Sequence, residues 1–302
     1  MNINLKNFYS CFAEISKVVK YDDLNFISSD LEINNSSNDA VKKMDMLAHT
    51  IIIKALEEYQ NIVGFISEES SNVIFTKEFN ENNNYIMAFD PIDGSKNILS
   101  NITVGTIYCL YKYDKEKNRI DKIIEAGYCL YGPRVTLVKT NRDIVEQFYL
   151  SKTDKFIKEN NLSFKENNEK IYSINESNRF SSEVRDLLTF YKSNNYNQRW
   201  VGSMVSDCHQ ILCKGGIFMY PASEKYPHGK LRLLYEVMPF SYIFKIAGGV
   251  GVDTNYNFIL DKYSIYDLNR QDLHKPIGVT LCSDKEYRNL LNYIDMRENI
   301  FC

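Results

Sequence analysis

The 302-residue chain is long enough for one large domain or two joined halves, and its 44% apolar and 25% charged residues are ordinary globular values. A formal net charge of −3 gives nucleic acid or an anionic membrane nothing to hold, and no apolar run approaches the roughly 20 residues that span a bilayer. The start Met1-Asn2-Ile3-Asn4-Leu5-Lys6 lacks a long apolar segment, so a cytoplasmic protein is the expectation.

From Asp39 to Glu58, Val41, Met44, Leu47, Ala48, Ile51, Ile52, Ala55 and Leu56 recur at helical spacing, with Asn38 or Asp39 as N-cap. Ile62 to Ile66 and Tyr85 to Phe89 read as buried strands. Thr103 to Tyr113, Glu125 to Leu130 and Val135 to Lys139 follow as further strands, with a turn at Gly132-Pro133. Asparagine-rich stretches at Asn34–Asn38, Asn80–Asn84 and Asn160–Asn168 are expected as surface loops. Lys170 to Ile174 opens a second set of elements. Gly216 to Tyr220 and Leu231 to Leu234 read as strands, and Tyr235 to Ile246 as a helix stopped by Gly248-Gly249. The expected architecture is α/β, in two halves divided near residue 165. Seven cysteines without a C-x-x-C pair indicate neither a disulfide frame nor a zinc site, and Cys109 and Cys129 read as core residues. His209, between Cys208 and Cys213, has no standard metal spacing and is read as one side of a helix.

Carboxylates collect where apolar segments end: Glu68 and Glu69, then Asp90 and Asp93, then Glu236. Strand ends line crevices in open α/β sheets, so these acids can converge. Each alone reads better as a solvated acid at a loop mouth. Two ionised carboxylates about 4 Å apart repel by roughly 4 kcal/mol at an effective dielectric near 20, so a cluster needs cations, and hard oxygen donors suit Mg²⁺ or Mn²⁺. Asp45 lies on the apolar stripe of the first helix, where it either pairs with a lysine or serves as a base or water-positioning group. Gly94-Ser95 is either a turn or a backbone approach to phosphate.

Asp90-Pro-Ile-Asp-Gly-Ser95 resembles the D-P-[ILV]-D-G-[ST] motif of the lithium-sensitive, metal-dependent phosphatase superfamily. Further segments resemble class I fructose-1,6-bisphosphatases, among them Ser67-Glu-Glu69, Tyr172-Ser-Ile-Asn-Glu176, Arg199-Trp-Val-Gly-Ser-Met204, Gly215-Gly-Ile-Phe-Met-Tyr-Pro221 and Gly229-Lys-Leu-Arg-Leu-Leu-Tyr-Glu236. The resemblance implies a layered αβαβα sugar-phosphatase fold. Residues 1–165 would carry the metal-binding acids and 166–302 the sugar and distal-phosphate contacts. It implies hydrolysis of the 1-phosphate of fructose 1,6-bisphosphate by a metal-activated water, with Mg²⁺ (or Mn²⁺) as cofactor. By resemblance the metals sit among Glu68, Glu69, Asp90, Asp93, Glu236 and the Ile92 carbonyl. Asp45, Glu69 and Asp39 serve catalysis. Gly94 and Ser95 would hold the 1-phosphate, and Met204 would pack on the sugar. Asn175, Arg199, Tyr220 and Lys230 would hold the distal phosphate, with Arg199 reaching across the interface of a homodimer or homotetramer.

The chain departs from the family pattern at Lys96, Leu99, Asn178 and Trp200, all near phosphate or loop contacts. A sedoheptulose-1,7-bisphosphatase therefore remains an alternative, and a catalytically silent regulatory homologue a lesser one. The N-terminal segment is short for an AMP pocket, and the residues expected to line one read Asn84-Tyr85 and Lys112, so AMP is expected not to inhibit.

Overall fold

The computed structural model describes residues 3–21, 37–81, 83–164, 169–176 and 179–301, with the side chains of 37–40 and 298–301 excepted. The chain begins with helices α1 (Ser10–Tyr21) and α2 (Ser37–Leu56). Strands β1 (Ile62–Ser67), β2 (Ile74–Phe75), β3 (Asn84–Asp93), β4 (Val104–Asp114), β5 (Arg119–Tyr131), β6 (Val135–Asn141), β7 (Ile144–Leu150) and β8 (Phe156–Leu162) follow. Next come β9 (Ile171–Ser173), α3 (Ser182–Ser193), β10 (Asn197–Gln198), α4 (Met204–Lys214) and β11 (Ile217–Tyr220). After β12 (Leu231–Arg232), a π-helical turn (Leu233–Val237) leads into α5 (Met238–Ile246). The chain closes with β13 (Gly249–Asp253), α6 (Ile259–Lys262), β14 (Tyr266–Asp267), β15 (Pro276–Ile277), β16 (Val279–Ser283) and α7 (Asp284–Phe301).

The first sheet runs β2-β1-β3-β4-β5-β6-β7-β8, with β14 added beside β5. Only β1 and β3 are parallel within it, so both end at the same edge. The second sheet runs β10-β9-β11-β16-β13. Alternation along each strand divides the core by face. Phe65, Met87, Phe89, Tyr108 and Leu110 pack against α1 and α2. Their neighbours Ile66, Ile86, Ala88, Ile107 and Cys109 face Val205, Cys208, Phe240 and Phe244 of α4 and α5, which also meet Phe218 and Leu281 of the second sheet. The far side of that sheet, through Tyr172, Ile217 and Met219, packs on Leu187, Leu188 and Leu290 of α3 and α7. The layers are therefore α, β, α, β, α, as the resemblance implied.

Three expectations change in detail. Asn38 and Asp39 lie inside α2 rather than capping it, because the helix already starts at Ser37. Asn160 and Asn161 are paired residues of β8, and Asn84 is buried in β3 with its amide hydrogen-bonded to Asn80; residues 34–36 and 165–168 lie outside the described residues. The strand expected to Leu234 stops at Arg232, and helix Tyr235–Ile246 begins instead as a π turn. Pro239 has no N–H to donate and is tolerated only in the first turn of α5. Among the described residues no helix is long and apolar enough to cross a membrane.

Candidate active site

The parallel pair β1 and β3 delivers its carboxylates to one edge of the first sheet. The Glu68 amide donates to the Phe89 carbonyl at 3.2 Å, fixing the end of β1 beside the end of β3. The pairing of β3 with β4 is interrupted between Asp90 and Asp93, so Pro91-Ile92 bulges and both aspartates turn inward. The hydroxyl of Thr106 donates to the Pro91 carbonyl at 2.7 Å and holds this bulge in place. From the other half of the chain, the π turn presents Glu236, whose Oε2 accepts from the Arg232 amide. Such turns recur where a helix must aim one side chain at a site.

Carboxylate oxygens of Asp90, Asp93 and Glu236 lie within 4.8 Å of one another, and all three residues are buried. At this separation each ionised pair repels by about 3–4 kcal/mol at an effective dielectric near 20. Burial, then Glu68, Asp93 and Glu236, push the Asp90 carboxyl well above its usual range. Burial and the neighbouring acids Glu68 and Asp93 do the same to Glu236, against a lowering by Arg232. Asp93 rises only to about 6, chiefly through burial, because the Val205 amide and the Ser203 hydroxyl oppose the shift. These donors meet its Oδ2 at 2.7 and 2.8 Å.

None of Glu68, Asp90, Asp93 and Glu236 is in an ion pair among the described residues, and the buried Oδ1 of Asp90 has no hydrogen-bond partner. Glu68 is exposed, but Asp90, Asp93 and Glu236 are buried, and buried charges left this way are stable only when paired or coordinated. An all-carboxylate donor set with one oxygen unpartnered fits a hard divalent cation.

These acids line a cavity of about 460 Å³. Glu68, Ile92, Gly94, Ser95 and Met204 share that cavity, and Asn175, Tyr220 and Lys230 lie in it as well. Gly94 takes φ +75° and comes so close to Ser203 that an added Cβ would lie 2.5 Å from the serine Cβ. Ser95 then opens a short 3₁₀ turn, Ser95–Ser100. The nearby Ser95 hydroxyl lowers the carboxyl of Asp45, which is half-buried on α2, but burial, then Glu69, Glu68 and Asp93, still raise it to about 7. Asp45 is thus set beside the acids, with no lysine paired to it among the described residues. Gly229 at φ +90° packs against the Gly278 amide, where an added Cβ would meet nitrogen at 2.1 Å, and so turns the chain into Lys230 and β12.

Three expected residues with described side chains fall outside the cavity wall, Asp45, Glu69 and Arg199. Glu69 is half-buried beside Glu68, raised by burial and by that neighbour, and does not line the cavity. Arg199 is exposed, its guanidinium donating to the adjacent Gln198 carbonyl at 3.0 Å. Asp39's side chain and Asn178 lie outside the described residues. Conversely, Lys96 and Trp200 line the cavity, and Leu99 is exposed.

Four contributors escaped the sequence reading. Ser203 clamps Asp93. Asp207, fully buried on α4, accepts from the Val201 and Gly202 amides at 2.9 and 3.0 Å and from Ser173, fixing the segment that bears Trp200 and Ser203. Arg232 lines the cavity, and its guanidinium donates to the His274 carbonyl at 2.9 Å. His274 in turn joins the Tyr235 hydroxyl to the Ser70 carbonyl at 2.7 and 2.9 Å, tying the π turn to the loop after Glu68. Asp207 was detectable by the signal that exposed Asp45, an acid among apolar helix positions. The His209 group holds no metal cluster among the described residues: its Nδ1 lies 2.8 Å from the Tyr128 hydroxyl, and burial depresses the imidazole to about 4.

Buried carboxylates in one cavity, with glycine, hydroxyl and cationic groups in its wall, define a metal-assisted phosphate esterase of the layered α/β class. Residues 2–161 match the family model described as "Fructose-1-6-bisphosphatase, N-terminal domain", and residues 165–294 match its C-terminal counterpart. The chain belongs to the fructose-1,6-bisphosphatase family. It is 34% identical to the class 1 fructose-1,6-bisphosphatase of Cytophaga hutchinsonii, over 87% of this chain and 79% of that one. With that of Persephonella marina it shares 35% over 86% and 81% of the two chains. A solved structure of Leishmania major fructose-1,6-bisphosphatase in holo form superposes with a TM-score of 0.78 at 28% identity, covering 94% of this chain and 92% of that one.

Proposed function

We infer that this chain hydrolyses the 1-phosphate of fructose 1,6-bisphosphate to fructose 6-phosphate and phosphate. The observation that carries this is the cavity itself, with three buried carboxylates within 4.8 Å of one another and Lys230 in the same wall. Family membership supplies the substrate class.

Asp90, Asp93 and Glu236 would hold the cation, with Glu68 and the Ile92 carbonyl at the same edge; Glu69 then supports from behind Glu68. The chemistry a bound Mg²⁺ (or Mn²⁺) supplies there is Lewis-acid polarisation and neutralisation of the phosphoryl oxygens. Ser203 and the Val205 amide keep Asp93 oriented. The backbone of Gly94 and Ser95, at the start of a helical turn, binds the 1-phosphate. Asp45 titrates near neutrality and accepts the proton of the attacking water as the phosphorus–oxygen bond breaks. Asp39 lies one helical turn and a half earlier on α2 and would assist it from the loop side. Met204 supplies an apolar floor for the sugar. Asn175, Tyr220 and Lys230 bind the distal phosphate, and the indole N–H of Trp200, whose ring lies 6.2 Å from that of Tyr220, adds a donor. Arg199, exposed and off its own cavity, reads as a contact to a neighbouring subunit's distal phosphate in a dimer or tetramer. Residues 1–165 and 166–302 then act as two halves of one cytoplasmic enzyme, neither holding a complete site.

A second reading has one specific support. A further cavity of about 430 Å³ shares Asn175, Tyr220 and Lys230 with the first and extends to Ser223, Lys225 and Tyr226, which leaves room for a seven-carbon bisphosphate. Phosphate release with Mg²⁺ decides between them. A kcat/KM at least several-fold higher on fructose 1,6-bisphosphate than on sedoheptulose 1,7-bisphosphate is expected. The reverse order would replace the substrate, and no release from either would remove the enzyme reading.

A further inference from the structure

Behind the π turn lies a second cavity, of about 530 Å³, walled by β4, β5, α5 and α6 and separate from the acid-lined one. Its interior is apolar: Ile120, Ile123, Leu234, Met238 and Leu260 line it together with four tyrosine rings, Tyr111, Tyr242, Tyr263 and Tyr266. Two of those hydroxyls are already used, since Tyr111 donates to the Leu234 carbonyl at 2.7 Å and Tyr266 to the Asp272 carbonyl at 2.5 Å. Three cations stand at the lining, Lys122, Arg142 and Lys245, and none of them is in an ion pair among the described residues. Of the two acids there, Asp121 is engaged by Arg119 at 3.8 Å, leaving Asp143 as the one unpaired anion. Arg142 is held at φ +55° in the tight turn between β6 and β7, a position that fixes its backbone beside the cavity mouth.

We propose that this cavity is a ligand site for an aromatic monoanion, a flat apolar body bearing one carboxylate or sulfonate, and that its occupancy is coupled to the acid cluster. Volume and lining fit the class: an apolar hollow of a few hundred cubic ångströms with a small number of polar groups that fix orientation. Ring-against-tyrosine packing would hold the body, and the excess of positive charge at the mouth selects the sign of the polar group. The coupling is anatomical. Leu234 and Met238 form part of the cavity wall, and each stands two residues from Glu236, whose carboxylate faces the other cavity. Tyr111 grips the same turn from below through the Leu234 carbonyl. A molecule that spreads or fills this wall therefore displaces the turn carrying Glu236, and the second part of the proposal rests on Glu236 being a cation ligand.

The test uses 1-anilinonaphthalene-8-sulfonate as probe on the full chain, first without metal. Saturable fluorescence enhancement at one site is expected, weakened roughly tenfold or more by Leu260→Trp, which fills the hollow, and by Arg142→Glu, which reverses charge at its mouth. Thermal unfolding of both variants, unchanged from the parent, establishes that they are folded; Arg142→Glu is exposed and serves alone should the larger substitution fail this check. Saturating Mg²⁺ is expected to shift probe affinity about three- to tenfold, and the probe to shift Mg²⁺ affinity by the same factor. Probe binding untouched by either folded variant, or displaced by fructose 1,6-bisphosphate in competition without metal, overturns the site. Binding that responds to the variants but not to Mg²⁺ overturns the coupling. The metal-free titration decides the site whether or not the protein turns over a bisphosphate, so it fails independently of the enzymatic reading.

Discussion

Two groups of residues that line the main cavity, the acids and those proposed to bind the distal phosphate, here called its acid and distal ends, are built on opposite plans. At the acid end, Asp90, Asp93 and Glu236 are buried and anchored by backbone amides, the neighbouring hydroxyl of Ser203 and a strand bulge. At the distal end, Asn175 and Lys230 are exposed and Tyr220 is half-buried, on short loops and strand ends. A rigid acid end can hold repelling charges at fixed separation only because close packing prevents them from relaxing apart. The distal end has no such conflict to contain. On the proposed reading, chemistry is placed among the buried groups and substrate choice among the exposed ones.

The largest effect expected from that contrast is at Asp90. Asp90→Asn should lower Mg²⁺-dependent phosphate release by at least roughly a thousandfold, read by a steady-state phosphate assay. The same substitution should raise the thermal midpoint of the metal-free protein, because it removes a buried acid whose ionisation the fold opposes. A midpoint that falls would mean the acid cluster is not repulsive. Next comes Ser203→Ala, which frees one oxygen of Asp93 and should weaken metal affinity about 10–100-fold by titration calorimetry, with activity following. At the distal end, Lys230→Ala should raise KM about tenfold while kcat changes little; a fall in kcat of equal size would show that the distal contact tightens in the transition state.

A smaller effect is the pH dependence of stability. Asp45 and Asp93 have carboxyls raised from 3.8 to about 7 and about 6, so between those values and the ordinary one the folded chain holds protons that the unfolded chain releases. Stability of the metal-free protein should therefore be greatest near pH 4 and fall as pH rises to about 7, with saturating Mg²⁺ flattening the decline in thermal melts. Least of all, AMP should leave the rate unchanged. Asn84 is buried and committed to Asn80, and Lys112 lies 4.8 Å over the Tyr85 ring, so neither side chain is disposed to bind a phosphate; micromolar inhibition in the same assay would contradict this.

Where the sequence was legible follows the same contrast. Strands β1 and β3 are continuous apolar runs closed by acids, and α2 repeats at helical spacing, so the scaffold and its carboxylates stand out residue by residue. Cys109 and Cys129, read as small core residues, are fully buried. The π turn was not legible, because Leu233 to Val237 is buried throughout and carries no period that separates strand from helix. Ser203 was missed because its partner lies far away in the chain, its bond to Asp93 spanning 110 residues, whereas Asp207 carries the same signal as Asp45 but holds a loop only five and six residues before it. Nor does any spacing reveal that Arg199 stays off its own cavity or that Arg232 enters it, since both depend on how loops settle after the sheets pack.

That long bond has a consequence for the order in which the molecule comes into being. Synthesis runs from the N-terminus at about 5–20 residues per second, so the Asp90–Ser95 segment leaves the ribosome several seconds before Ser203, Val205 and Glu236 exist. Until they do, Asp93 lacks both of its Oδ2 donors and Asp90 lacks the third acid of its cluster. The nascent first sheet can pack on α1 and α2, yet it has no assembled pocket with which to capture a cation or a sugar phosphate. Premature chemistry on a half-made chain is excluded by the connectivity itself, and a chain truncated before residue 236 should fold in part and remain inert.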